Sequence, residues 1–147
     1  MDVIDRDLGL AEIISSMKSL SGKTIKVGIQ GDEKAEYENG ASVIDVAVWN
    51  EYGTEHIPSR PFIRQCFVLH SKEAFVRMQK AVDFVRRGGD ANLALSSIGQ
   101  WYEQRMKHVL TNYAWHPNSI ATIRRKGSSK PLIDTGQLRN SIRYKVE

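Results

Sequence analysis

The sequence predicts a small α+β fold, and three observations carry that prediction. Two segments of period two, 24–30 and 141–146, sit near opposite ends of the chain. Two long stretches of helical period, 62–87 and 90–112, are joined by Gly88-Gly89. A further amphipathic segment precedes the first strand. The expected architecture is a small antiparallel sheet, with strands near 24–30 and 141–146, packed with an N-terminal helix and a longer helical pair. With 147 residues, 41% apolar and 26% charged, the chain is expected to form a single domain over 1–147.

Residues 3–20 place Ile4, Leu8, Ala11, Ile14 and Met17 three and four apart, the spacing of one apolar helix face. Asp2 is positioned to cap this helix and Ser21-Gly22 to end it. Over 24–30, Ile25, Val27 and Ile29 alternate with Thr24, Lys26, Gly28 and Gln30, so one face of a strand is buried. Residues 31–41 are polar with two glycines and read as an exposed, flexible loop. The run 42–52 has the apolar density of a short buried helix, although Val43, Ile44, Val46 and Val48 also suit a strand.

The segment Asn50 to Arg64 is the most heavily specified in the chain. Gly53 can take the left-handed conformation that closes a helix. Pro58 and Pro61 fix φ and push Ile57 and Arg60 toward extended conformations. Phe62 and Ile63 then follow directly, so the turn is expected to drive two large apolar side chains into a core or a partner. Beyond it, Phe75, Met78, Val82 and Val85 define the apolar stripe of the first long helix. Leu95, Ile98, Tyr102, Met106 and Val109 define that of the second, with Asp90 as its N-cap. Trp101 and Tyr102 read as core of that helix rather than as a stacking platform. Residues 115–131 show no periodicity and are expected to be a second flexible loop. Thr135–Asn140 suits a single helical turn, and 141–146 alternates Ile142, Tyr144 and Val146 with Ser141, Arg143 and Lys145, making an antiparallel neighbour for 24–30.

Charge is placed unevenly. The net +4 arises from residues 121–147, where seven Lys and Arg face Asp134 and Glu147, while the first 120 residues sum to −1. Such a region suits nucleic acid or an acidic protein patch, or it is a solvated tail. Within it, Arg124, Arg125, Lys126 and Lys130 form a basic loop that lacks interleaved aromatics and matches no nucleic-acid motif, so phosphate contact there would be nonspecific. The chain carries no apolar run of membrane-spanning length and no signal-like N-terminus, so no membrane contact is expected and the cytoplasm of the producing cell is the expected compartment. One cysteine, Cys66, excludes an internal disulfide.

Chemistry-bearing patterns are missing. His56, His70, His108 and His116 make no metal-ligand spacing, and Cys66 has no second cysteine, so no metal is expected. Cys66 and His70 stand four apart but read as a small core residue and its neighbour. No glycine-rich phosphate cradle and no acid/base pair of carboxylates occurs, so no cofactor and no enzymatic activity are expected. Glu51, beside Tyr52 and Gly53 at a helix end, reads as solvated or locally hydrogen-bonded.

Two segments together resemble a known family. Glu51-Tyr52-Gly53-Thr54 followed by Pro58-Ser59-Arg60-Pro61-Phe62-Ile63-Arg64, and then Pro131-Leu132-Ile133-Asp134-Thr135-Gly136-Gln137-Leu138 with Ser141-Ile142, resemble in order and chemistry the signatures of tailed-phage neck and tail-completion proteins, including the virion-morphogenesis and minor tail families. The resemblance implies a small α+β structural protein of the phage or prophage virion. It would form a homo-oligomeric ring, hexameric in expectation, at the head-proximal end of the tail, where it ends tail growth or joins tail to head. It implies copies of the chain itself and tail-tube or head-connector proteins as partners, with assembly in the host cytoplasm. Glu51, Tyr52, Gly53, Pro58, Arg60, Pro61, Phe62, Arg64, Asp134, Thr135, Gly136 and Leu138 are then the candidates for subunit contact. The basic loop would order against a neighbour or face the lumen through which DNA passes. Asp134 is expected to cap the turn that follows it, Gly136 to relax its backbone, and Leu138 with Ile142 to pin it to the core. A nonspecific DNA-binding module using the C-terminal basic segment is the competing expectation.

Overall fold

The computed structural model describes residues 9–147. Along them run α1 (Leu10–Lys18), β1 (Ile25–Ile29), α2 (Val43–Tyr52), α3 (Phe62–Arg86), α4 (Ala91–Asn112), α5 (Ile120–Lys126), α6 (Gln137–Asn140) and β2 (Ile142–Val146). The fold is α+β, as the periodicities predict. β1 and β2 pair antiparallel with Ile25 opposite Val146 and Ile29 opposite Ile142, and reciprocal bonds of 2.7 and 3.0 Å between Thr24 and Glu147 extend the ladder by one pair. This register gathers Ile25, Val27, Ile29, Ile142, Tyr144 and Val146 on one face, which α4 covers. Gly99 makes that approach possible, because a Cβ there would stand 2.4 Å from the Tyr144 ring.

Two adjoining apolar clusters hold the elements. The larger joins α2, the start of α3, the end of α4, α6 and β2 through Val43, Ala47, Phe62, Cys66, Met106, Val109, Leu110, Leu132, Leu138 and Ile142. The smaller joins the facing ends of α3 and α4 through Ala81, Val85, Ala91, Ala94 and Ile98, with Leu20 and Ile25 against it. Ser42 caps α2 by accepting the Asp45 N–H at 3.0 Å, and Asp90 caps α4 by accepting that of Leu93 at 2.7 Å. Leu138 and Ile142 are both buried, as their spacing predicts.

Several expectations need correction. Helix α1 begins at Leu10, behind Gly9 at φ 89°, and it buries none of its side chains. The expected Asp2 cap and the positions of Ile4 and Leu8 lie outside the described residues. On α3 the predicted stripe is real in its spacing but faces outward: Phe75, Met78 and Val82 are 62%, 47% and 41% exposed, and only Val85 is buried. The face turned toward α4 is built instead from Cys66, Ala74, Ala81 and Val85. Small side chains let the two helices approach closely, which a stripe of Phe and Met would prevent. Ile63 likewise points outward at 37% exposure, while Phe62 is fully buried.

The two expected loops follow defined paths. Over 31–41 the chain turns through Tyr37, whose N–H donates to Ala41 at 2.8 Å, and the segment is tied to α6 by Gln137 Nε2 donating to the Glu36 carbonyl at 2.9 Å. Residues 115–131 contain α5, capped by the Ser119 hydroxyl and closed by Gly127 at φ 68°. Seven residues are too few to display an apolar period, and the two end signals are what place this helix.

Candidate functional site: a stapled corner and the groove beside it

The α2–α3 connection is held almost entirely by its own polar groups. Gly53 ends α2 at φ 78°, ψ 169°, a positive-φ conformation of extended ψ rather than the left-handed helical one expected, and one open essentially to glycine alone. A Cβ at this position would stand 3.0 Å from the Ser59 nitrogen and 3.1 Å from the Ile57 carbonyl oxygen. The chain then folds back: Thr54 N–H donates to the Ile57 carbonyl at 2.8 Å, Ser59 hydroxyl to the Glu51 carbonyl at 3.0 Å, and Arg60 N–H to the Asn50 carbonyl at 2.6 Å. Pro58 and Pro61 preset this path and remove two amides that would otherwise need partners.

Glu51 closes the corner. It is 95% buried at 5% exposure, and its carboxylate accepts the Ile63 N–H at 2.9 Å, the Arg64 N–H at 3.1 Å and Arg64 Nε at 3.0 Å. Helix α3 has no side-chain cap of its own at Pro61, so Glu51 supplies from twelve residues upstream both the acceptor and the negative charge that a helix N-terminus favours. The Arg64 guanidinium also donates to the Glu51 carbonyl and lies 5.1 Å over the Tyr52 ring. The Glu51 carboxylate and Arg64 Nε and Nη2 are thus directed at one another and at the backbone of the same corner.

Arg60 is buried as deeply and pairs with no carboxylate among the described residues. Its Nε donates to the His116 carbonyl at 2.8 Å, and Nη2 donates to the Pro117 carbonyl at 3.3 Å and to Asn118 Oδ1 at 3.0 Å. It thereby ties the corner to the segment leading into α5, and burial pulls its pKa below the usual arginine value. Nothing local in the sequence marks this contact, since the acceptors lie 56–58 positions away and are mostly main chain.

Beside the corner lies an open groove of about 1460 Å³. Its walls are the outer side of α2 at Val46 and Trp49, the corner at His56, Ile57, Pro58 and Arg60, the 35–39 segment, α5 at Arg125 and Lys126, and the 131–141 segment at Asp134, Thr135 and Leu138. The two segments that carry the family resemblance, far apart in sequence, thus line one concavity. Of the candidates, Pro58, Arg60, Asp134, Thr135, Leu138, Arg125 and Lys126 meet there. Glu51, Gly53, Pro61, Phe62 and Arg64 form the corner behind it, Tyr52 stands 70% exposed at its edge, and Gly136, Arg124 and Lys130 lie outside the lining.

Two roles differ from expectation. Asp134 caps nothing: α6 begins at Gln137, behind Gly136 at φ 79°, and the Gln137 N–H is met by Thr135 Oγ1 at 3.4 Å. Lys126 is part of the framework, half-buried and donating to the Pro131 carbonyl at 3.2 Å, and burial lowers its pKa. The exposed part of the basic loop is Arg124, Arg125 and Lys130.

Burial raises the pKa of the Cys66 thiol, keeping it protonated in the core, and the neighbouring Tyr102 hydroxyl is raised for the same reason. Tyr102 packs on the larger cluster, whereas Trp101 lies at the rim under the Arg77 guanidinium, 4.3 Å away. Among the described residues no three His, Cys, Asp or Glu side chains are grouped to hold a metal ion, and no helix is long and apolar enough to cross a membrane. Comparison of the chain with protein-family models, with curated proteins and with solved structures returned no match.

Proposed function

We propose that this protein is a structural subunit of a phage or prophage virion, which forms a homo-oligomeric ring, hexameric in expectation, at the head-proximal end of the tail and completes the tail or joins it to the head. The observation that carries this reading is the convergence of the 50–64 and 131–142 segments, which bear the resemblance to tail-completion proteins, on one groove beside a rigid corner. A corner stapled by Glu51, Arg60 and Arg64 presents the same surface from every copy, as a repeated contact requires. Its charged groups hold main chain in place and are not left free for acid–base work.

The outward stripe of α3 supports the same reading. Phe67, Phe75, Met78 and Val82 expose apolar surface along one side of one helix, the kind of surface that marks an interaction site. Tail-tube or head-connector proteins and neighbouring copies are the partners proposed for these surfaces, and the virion is the proposed location.

Solution mass with electron microscopy of the purified full chain, alongside a DNA titration at several salt concentrations, tests the proposal. Closed rings and indifference to duplex DNA are expected. Monomers that bind duplex DNA with a steep salt slope would overturn the proposal in favour of a DNA-binding module using Arg124, Arg125 and Lys130.

A further inference from the structure

The two outer edges of the sheet are finished differently. Thr24, Lys26 and Gly28 face Glu147, Lys145 and Arg143 as the hydrogen-bonded pairs, so the N–H and C=O groups of Ile25, Val27 and Ile29 point away from β2, and those of Ile142, Tyr144 and Val146 away from β1. On the β2 side, Tyr144 N–H donates to Glu103 Oε2 at 2.9 Å, and Glu103 is itself held by Lys107 at 2.6 Å. A strand added there would have to displace a carboxylate. On the β1 side none of the described residues bonds to the outward groups of Ile25, Val27 and Ile29.

We infer that the β1 edge pairs with a second copy of this chain, β1 against β1, antiparallel, with Val27 opposite Val27. The outward groups and the charges select this register. Centred on Lys26, the pairing sets two lysines directly opposite each other, which is unfavourable. Centred on Gly28, it carries Ile25 past the end of the other strand onto Gly31. Centred on Val27, it uses the outward N–H and C=O of all three residues in both copies, sets Ile25 opposite Ile29 and Lys26 opposite Gly28, and leaves Lys26 on its own Glu147 at 2.6 Å.

Two strands of five residues make a sheet too small to be stable without support. The pairing turns them into a four-stranded sheet whose apolar face continues across both copies. An open edge of this kind is a ready template for strand addition, and with β2 blocked the contact closes at two copies instead of propagating. It lies apart from the groove and does not depend on ring formation.

Amide hydrogen exchange on the native full chain at low and high protein concentration, with solution mass measured in parallel, tests the pairing. The expected result is a mass that doubles with concentration, from one chain to two or from one ring to two, while the amides of Ile25, Val27 and Ile29 gain protection, those of Lys26 and Gly28 being protected throughout by their own ladder. Association that leaves those three amides unprotected, as a contact through the α3 stripe would, overturns the inference, and so does a mass that never rises. Val27→Pro removes an outward N–H without touching the β1–β2 ladder. It should weaken the pairing by roughly tenfold or more while far-ultraviolet dichroism stays that of the native chain. A folded Val27→Pro chain that pairs like the native one overturns the inference. Should that variant fail to fold, the exchange comparison decides.

Discussion

Glu51 does the work of a helix cap from outside the helix. Its side chain is buried, so replacing it leaves two α3 amides and Arg64 Nε without their acceptor. Glu51→Ala is expected to cost about 2–4 kcal/mol, read from chemical denaturation, with the pairing energy isolated by a double-mutant cycle against Arg64→Met. Coupling near zero in that cycle would contradict the staple. Gly53→Val combines a conformation barred to branched residues with contacts of 3.0 and 3.1 Å to main-chain atoms, and a loss of about 2 kcal/mol or more is expected. Unchanged melting would contradict the backbone geometry. The need for Gly53 was legible in the sequence as a helix end before a proline turn. The roles of Glu51 and Arg60 were not, because both act on main-chain groups that no residue type announces.

Helix α3 shows what periodicity tells and what it leaves open. Spacings of three and four reveal that an apolar stripe exists, but this helix carries two stripes, one of bulky residues and one of small ones. Close packing against α4 selects the small one. The consequence is opposite behaviour for two apolar residues of the same helix. Val85→Ala, at a site with no exposure, should cost about 1–2 kcal/mol, while Phe75→Ser should leave folding stability within about 0.5 kcal/mol and reduce self-association. Denaturation and solution mass of the two variants check this, and equal destabilisation by both would contradict the assigned faces.

The strands were read correctly because alternation carries no such ambiguity: one face of each is apolar and the other is not. Their ends are joined by charge, with Glu147 2.6 Å from Lys26 and 2.8 Å from Lys145. Hydrogen bonds from Lys145 and then Lys26 push its carboxyl down to about 2 from 4.5. A lowered folded-state pKa contributes stability above the unfolded value, lost as pH falls through the folded one. Native chain and Glu147→Gln should therefore differ in denaturation midpoint at neutral pH and converge between pH 4.5 and about 2. A gap that persists at pH 2 would contradict the pairing. Lying at the surface, the pairs are also screened, so the gap should shrink in high salt.

At the scale of the whole molecule, the corner, the groove and the outward stripe of α3 are the three surface features that the proposed assembly would cover. The resemblance was legible in two short segments. Their meeting at one groove was not, because it depends on α4 returning the chain beside α2 and on Arg60 tying the corner to the approach of α5. The most direct test of the proposed function is the solution mass and electron-microscopic outline of the purified full chain. A closed ring, larger than a pair and six-fold in outline, is the expected result. A chain that never exceeds two copies at any concentration, whether or not its β1 edges pair, would contradict it.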